Sequence, residues 1–130
     1  MKGTRTKLTI AVLLALMLIS AFALPAQADD GIIVVKKYIR ADIGGNIHGG
    51  GITVMIPPKA LPYNATITMS VNKAKREVGF SPDMNFNRKV LVRFSFNVTR
   101  FAWWSNSTWV NMPLTGRTAV LSHFSRYAWW

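Results

Sequence analysis

Hydrophobic and polar residues alternate along most of this chain, and no long stretch repeats with the spacing of a helix. In ATITMSV, Ile67, Met69 and Val71 share one face, and hydroxyl side chains occupy the other. KVLVRFSF alternates in the same way, with Phe94 and Phe96 on its apolar face. Because successive side chains of a strand point to opposite sides, this period predicts half-buried β-strands. The chain is therefore expected to be an all-β protein.

Turn-forming residues separate the alternating segments and divide them into about six to eight short strands. Such a series predicts a single antiparallel β-sandwich or a partly open barrel. The glycine-rich segment 41–51 is expected to be a loop, and KALPYN at most one helical turn. Further strands are expected in GIIVVKKYIR, ITVMI, FAWW, TWVNM and TAVLSHFSRYAWW, the last as one long strand, with a hairpin turn at Ser105–Ser107.

The first 28 residues have the layout of a cleavable signal peptide. Three of the first seven residues are basic, the apolar run Leu8–Leu24 follows, and Ala26–Ala28 offers small residues to a signal peptidase. Cleavage would make Asp29 the first residue of the mature protein. An uncleaved anchor is the alternative, because the run is slightly long for a signal and slightly short for a membrane span. We expect a secreted or extracytoplasmic protein of a bacterial envelope, without a transmembrane anchor after cleavage.

Residues 29–130 are of a size that predicts one domain, and they contain no cysteine. Their 13 Lys and Arg against 5 Asp and Glu give a net charge of +8. A basic surface attracts anionic wall polymers or lipid headgroups. No nucleic-acid-binding motif is present, so nucleic acid is not an expected partner. The candidate basic residues form two small clusters, Lys36 with Lys37, and Lys73 with Lys75 and Arg76.

The residues needed for catalysis or metal binding are few. The five acidic residues are scattered, and the only histidines are His48 and His123. General acid–base work needs paired groups, and a metal site needs several ligands. The sequence thus predicts neither an enzyme acting on other molecules nor a metal or cofactor site.

Three blocks of the chain resemble a known family. GGNIHGGGITVMIPPKALPYNATITMSV is similar to the opening of the ZU-five domain of ankyrins, zonula-occludens proteins and netrin receptors. VGFSPDMNFNRKVLVRFSF resembles its second block, and WWSNSTWVNMPLTGRTAVLSHFSRYAWW resembles the closing block of secreted bacterial members. Two departures are Lys59, where glycine is frequent and a negative φ is now expected, and Lys89, which replaces a proline. The matching opening residues are Gly44, Gly45, Ile56, Pro57, Pro58, Ala60 and Leu61.

The resemblance implies a β-sandwich with a binding or scaffolding role. Large relatives bind cytoskeletal proteins or pack against neighbouring domains of their own chain. Those partner domains are missing from this sequence, so no binding residue carries over. A protein or an anionic envelope polymer of unknown identity is the expected partner.

The tripeptide His123-Phe124-Ser125 is the one candidate for a reaction. The resemblance implies self-cleavage between Phe124 and Ser125, as in self-cleaving relatives that carry a similar tripeptide. The Ser125 hydroxyl would attack the Phe124 carbonyl, and water would hydrolyse the resulting ester. His123 would either take the hydroxyl proton or polarise the carbonyl. The alternative is structural: His123 and Tyr127 hydrogen-bond at the surface, while Phe124 and Ala128 fill the core.

All five tryptophans lie between residues 103 and 130. Clustered aromatic rings can stack on sugars or lie at a membrane interface, and they can also stabilise a hairpin. Alternation predicts that one of Trp103 and Trp104, and one of Trp129 and Trp130, faces away from the core. If these two rings meet, they form an exposed patch suited to binding.

Three functions remain open at this stage. The first is a non-catalytic binding or scaffolding domain of the cell envelope. The second is a self-processing domain that cuts its own Phe124–Ser125 bond. The third is a cationic binder of anionic wall polymers or lipid surfaces, which would use the basic clusters together with exposed tryptophan.

Overall fold

The structure is a computed structural model that describes residues 31–130, which form one compact unit. The predicted signal peptide, residues 1–28, lies outside the described residues, as do Asp29 and Asp30. Between residues 31 and 130, no helix is long and apolar enough to cross a membrane.

The described residues fold entirely into strands, turns and loops, which confirms the all-β prediction. Eleven strands are present, more than the six to eight expected. They are β1 (Ile32–Ile39), β2 (Gly45–Gly49), β3 (Ile52–Ile56), β4 (Ala65–Asn72), β5 (Glu77–Ser81), β6 (Asn85–Phe94), β7 (Phe101–Ser105), β8 (Thr108–Asn111), β9 (Leu114–Thr115), β10 (Thr118–His123) and β11 (Arg126–Trp129).

The strands form two antiparallel sheets that pack face to face as a sandwich. One sheet has six strands in the order β1-β4-β5-β11-β7-β8, and the other has five in the order β2-β3-β6-β10-β9. Aromatic rings join the two layers. The ring centroid of Phe94 in the five-stranded sheet lies 5.7 Å from that of Phe101 and 5.9 Å from that of Trp129, both in the six-stranded sheet.

The predicted alternation places the core between the sheets. Ile67, Met69 and Val71 of β4 are fully buried, and their hydroxyl-bearing neighbours lie on the outer face. In β3, Ile52 and Val54 are buried in the same way. Burying such a side chain stabilises the fold by roughly 1.5–3 kcal/mol relative to leaving it exposed. This alternation fixes which side chains of each strand can form a binding face.

The glycine-rich segment was wrongly expected to be a loop throughout. Gly45–Gly49 forms β2, which pairs with β3 from Gly45 opposite Ile56 to Gly49 opposite Ile52. The turn of this hairpin is Gly50-Gly51, with φ angles of 61° and 78°. Glycine has a low preference for strands, so propensity concealed β2, whereas pairing with β3 creates it.

The last segment was wrongly expected to be one long strand. β10 ends at His123 in the five-stranded sheet, and β11 begins at Arg126 in the six-stranded sheet. The register of β10 against β6 shifts between Leu121 and His123, as it does at a β-bulge or a similar irregularity. Bulges bend strands and let a chain turn from one sheet into the other. Phe124 and Ser125 are the two residues that make this crossing.

The segment after β3 departs from expectation at one residue. KALPYN forms turns and bends with no helix, which is within the expected limit of one helical turn. Lys59 has φ of 66°, not the negative value expected. Its backbone N–H donates to the Ala41 carbonyl at 2.7 Å, which offsets part of the cost of this conformation. Ala60 and Leu61 are buried beneath this turn.

Candidate binding face and the His123 pocket

The outer face of the six-stranded sheet carries a cluster of tryptophan and arginine side chains. Trp103 and Tyr127 are paired and point towards the core, so Trp104 and Arg126, next to them in sequence, point outwards. Trp104 is paired with Trp109 across β7 and β8. We call this cluster the aromatic–arginine face; its members are Trp104, Trp109, Trp130, Arg100 and Arg126.

The three rings of this face contact one another. Trp104 and Trp109 have ring centroids 4.8 Å apart with planes tilted by 58°. Trp109 and Trp130 meet edge to face, with centroids 6.1 Å apart. Trp130 is 39% exposed, and the other two rings are half-buried. Aromatic pairs at these separations attract each other by about 0.5–1.5 kcal/mol beyond their buried area.

Both arginines lie against the rings. The Arg126 guanidinium carbon is 5.3 Å from the centroid of Trp104 and 5.6 Å from that of Trp109. The Arg100 guanidinium carbon is 4.2 Å from the centroid of Trp130. Such cation–π contacts contribute about 0.5–1 kcal/mol at exposed sites. They also hold the guanidinium groups in fixed positions, which lowers the entropic cost of binding a ligand.

Polar partners fix the arginines further. Arg126 forms an ion pair with Glu77, with Nη2 2.6 Å from Oε1, and its Nε donates to the same oxygen at 2.7 Å. Arg100 Nε donates to Asn111 Oδ1 at 2.6 Å. An exposed ion pair of this kind adds at most about 1 kcal/mol to stability. Its main consequence is orientation of the guanidinium over the rings.

A shallow groove of about 190 Å³ adjoins the aromatic–arginine face on the same side of the sheet. Gly79 forms its floor, where an added Cβ atom would have no neighbour within 4 Å. The cross-strand register places Ser70 beside Gly79 and Gly79 beside Arg126. The other lining residues are Asn72, Glu77 and Val78.

The structure distributes the predicted tryptophans as alternation requires. Trp129 is buried in the core at 5% exposure, and Trp103 packs against the core. Trp104 and Trp130 lie on the outer face. Trp109 was absent from the predicted binding residues, although its place after the Ser105–Ser107 turn signals that it would face Trp104. The two arginines had no signal in sequence, because their approach depends on strand register.

The predicted basic residues do not form one surface. Lys36 is on the outer face of edge strand β1, opposite Thr68. Lys37 leaves the other side of the strand, stays exposed and donates to the Asn46 carbonyl at 2.8 Å. The other three predicted basic residues lie in the turn after β4, and the rise per residue of a strand places this turn roughly 14 Å from Lys36. These are Lys73, whose Nζ is 5.5 Å from the Phe96 centroid, Lys75 and Arg76.

His123 and Ser125 line a second site, an open pocket of about 380 Å³ where the chain crosses between the sheets. Both contact Trp103, whose ring centroid is 4.5 Å from that of His123 and whose Nε1 donates to Ser125 Oγ at 3.1 Å. Asp83 and Asn85 add further polar side chains to the lining of this pocket.

Tyr127 orients the His123 ring. Its hydroxyl lies 2.6 Å from the His123 carbonyl oxygen and 3.1 Å from Nδ1. A carbonyl can only accept, so the tyrosine proton goes to it, and the second contact then assigns a proton to Nδ1. Nε2 is left as the nitrogen with a free lone pair. Burial, and to a smaller degree the charge of Asp83, raise the pKa of Tyr127, so the hydroxyl stays protonated.

The peptide around the candidate cleavage position is held on both sides. The Phe124 N–H donates to the Met84 carbonyl at 2.9 Å, and the Ser125 carbonyl accepts from the Phe80 N–H at 3.0 Å. Within residues 31–130, the non-glycine residues with positive φ all lie elsewhere. Phe124 and Ala128 are buried as the structural alternative expected, but Tyr127 is buried too and does not meet His123 at the surface.

Between residues 31 and 130, no three His, Asp or Glu side chains come together as a potential metal site. No protein-family model matches the chain, and no curated protein matches it significantly.

Proposed function

We propose that this chain is a ZU-five-like, non-catalytic binding or scaffolding domain of the bacterial cell envelope, and that it binds through the aromatic–arginine face. The observation that carries the proposal is the contact of three tryptophans with two arginines on the outer side of the sheet. The sandwich core is complete without these rings, since its buried residues come from the facing sides of the two sheets.

The composition of this face is that of a binding hot spot. Tryptophan and arginine are enriched at interface hot spots because they bury large areas with few rotatable bonds. Here the rings and guanidinium groups already hold one another in place, so little order is lost when a ligand binds. The excess of basic residues favours an anionic partner through attraction over distance.

Export is part of this proposal. It rests on the basic start, the apolar run and the small residues before Asp29. Expression of the full chain in a bacterium, followed by N-terminal sequencing of the extracytoplasmic product, tests it. A product that begins at Asp29 supports export with cleavage; a full-length product retained in the membrane fraction contradicts it.

Retention of the purified protein on isolated cell-envelope material tests the binding face. We expect the wild-type domain, residues 29–130, to be retained and the Trp104→Ala/Trp109→Ala variant to be released. Tyr63→Ala is the matched control, because Tyr63 is an aromatic residue 50% exposed outside this face. Equal retention of all three proteins would contradict the proposal.

Self-processing is a second candidate, favoured by the contact of His123 and Ser125 with the same Trp103 indole. In this reaction Ser125 Oγ attacks the Phe124 carbonyl carbon, and the Phe124–Ser125 amide bond breaks to give an ester and a free amine on Ser125. His123 Nε2 takes the hydroxyl proton and passes it to that amine. Water then hydrolyses the ester, releasing SRYAWW.

Intact mass spectrometry of the denatured mature protein separates the two candidates. Denaturation matters because β11 is held between two strands and a cut product would otherwise remain attached. An SRYAWW fragment seen in the wild type and absent from Ser125→Ala establishes self-processing. A single uncut mass in both proteins refutes it and leaves the binding role.

A further inference from the structure

The groove beside the aromatic–arginine face indicates what kind of ligand this surface suits. We propose that the ligand is an acidic polysaccharide whose chain lies across the six-stranded sheet, from the Ser70 side of the groove to Trp109. This proposal rests on the proposed function. Five neighbouring strands, β4, β5, β11, β7 and β8, contribute to this path. At a spacing of about 4.8 Å between strands, it extends over roughly 19 Å, enough for a short oligosaccharide.

The rings suit the apolar faces of sugars. A pyranose ring has C–H groups on its faces, which pack against an indole, and hydroxyls around its edge, which need hydrogen bonds. Trp104 and Trp109 offer two adjacent ring surfaces tilted by 58°, and Trp130 adds a third. Small buried residues, Ala102 and Ala128, lie on the same outer face of β7 and β11.

The groove supplies the hydrogen bonds that a sugar edge requires. Glu77 Oε1 receives both bonds from Arg126, which leaves Oε2 to accept from a hydroxyl. Asn72 Oδ1 accepts the backbone N–H of Lys75 at 3.0 Å, which leaves the Asn72 amide hydrogens to donate. Ser70 adds a hydroxyl that can do either. The groove therefore offers both donors and acceptors.

Gly79 keeps this path open. It stands between Ser70 and Arg126 in the cross-strand register, and any side chain there would project into the groove. Its φ is not in the left-handed region, and an added Cβ would meet nothing within 4 Å. A larger residue at this position should therefore block the groove while the fold remains intact.

The charges on this face favour an acidic sugar over a neutral one. Arg100, Arg126 and Lys36 project from it, and Glu77 is the one acidic residue of the described chain that lines the groove. Arg100 donates from Nε to Asn111, so its two terminal nitrogens can form a bidentate hydrogen bond with a carboxylate. Carboxylated sugars supply a carboxylate beside an apolar ring face, which matches the pairing of Arg100 with Trp130.

Calorimetric titration of the mature domain tests this proposal. The probes are hexamers of galacturonate, alginate and hyaluronan, with cellohexaose as neutral sugar, polyglutamate as non-sugar anion, and phosphatidylglycerol vesicles as lipid surface. We expect at least one acidic hexamer to bind at least tenfold more tightly than cellohexaose. Trp104→Ala and Trp109→Ala should each weaken that binding at least tenfold, and Gly79→Val at least fivefold.

Tyr63→Ala should leave the affinity unchanged, and circular dichroism should show all variants folded. Binding of polyglutamate or vesicles through the same tryptophans, with no acidic hexamer bound, would overturn the polysaccharide assignment and preserve the binding face. Equal affinity for cellohexaose would overturn the preference for acidic sugars. If no acidic hexamer binds, the assignment is wrong, and the envelope-retention experiment then judges the proposed function separately.

Discussion

The Tyr127 hydroxyl lies 2.6 Å from the carbonyl oxygen of His123, and this bond joins the two sheets where the chain crosses between them. His123 ends β10 in the five-stranded sheet, while Tyr127 belongs to β11 in the six-stranded sheet. The two strands therefore share a hydrogen bond although they are not neighbours in any sheet. The crossing carries Phe124 and Ser125, so this bond also fixes the candidate cleavage position.

Replacing Tyr127 with phenylalanine removes this bond and leaves the ring in place. We expect the free energy of unfolding to fall by about 1–2 kcal/mol, because a partly buried carbonyl loses its hydrogen-bond donor. Urea denaturation followed by circular dichroism measures it. Tyr38→Phe is the control, since Tyr38 is 59% exposed, and it should change stability by less than about 0.5 kcal/mol. Matching denaturation midpoints for Tyr127→Phe and wild type would contradict the role of this bond.

Alkaline pH should remove the stability that the Tyr127 hydroxyl gives to the folded protein. Burial raises the pKa of Tyr127 in the folded protein above the value of about 10 that it has in the unfolded chain. Above pH 10 the unfolded chain loses this proton before the folded protein does, so stability is full below pH 10 and falls as pH rises. The stability difference between wild type and Tyr127→Phe should shrink from pH 9 to pH 11. A constant difference over that range would contradict the raised pKa.

Gly44 and Gly79 should respond oppositely to alanine. Gly44 has φ of +74°, and an added Cβ would lie 2.2 Å from the Ile56 carbonyl oxygen, so backbone must shift. We expect Gly44→Ala to lower the free energy of unfolding by at least about 2 kcal/mol. Gly79→Ala meets no neighbour and should be neutral or slightly stabilising. Thermal unfolding of both variants measures this, and similar melting temperatures would contradict it.

Phe124 should be among the most costly side chains to truncate. It is 2% exposed and packs between Phe80 and Phe86, with ring centroids 4.9 Å and 4.6 Å away. Phe124→Ala should cost about 3–5 kcal/mol through the cavity left behind. Ile43→Ala, at a residue 57% exposed, should cost less than about 0.5 kcal/mol. Chemical denaturation of both variants tests this, and a loss below 1 kcal/mol for Phe124→Ala would be incompatible with its packing.

Local alternation predicted the strands whose two faces differ in polarity. β3 and β4 could be predicted directly from the sequence, because each buries every second residue. β2 could not, since two of its five residues are glycine and its pairing depends on the neighbouring strand. The end of β10 was missed although it had a signal: Leu121, Phe124 and Tyr127 are buried at intervals of three, which breaks the period of a single strand.

The aromatic–arginine face could be predicted only in part. Alternation indicated that Trp104 and Trp130 could both point outwards. The pairing of Trp109 with Trp104 follows from the hairpin turn but was not predicted. The approach of Arg126 to these rings depends on β11 lying between β5 and β7, an order that no local pattern contains. The contact of Trp103 with Ser125 depends on the same order and was missed for the same reason.

The central position of β11 has a consequence for how the protein reaches its native state. Without Arg126–Trp129, the six-stranded sheet is two separate pieces, and β5 and β7 each expose an unpaired edge. Neither piece can be completed during synthesis until the ribosome has supplied residue 129. The nascent chain therefore keeps these strand edges open, aggregation-prone and accessible to chaperones until β11 has been made.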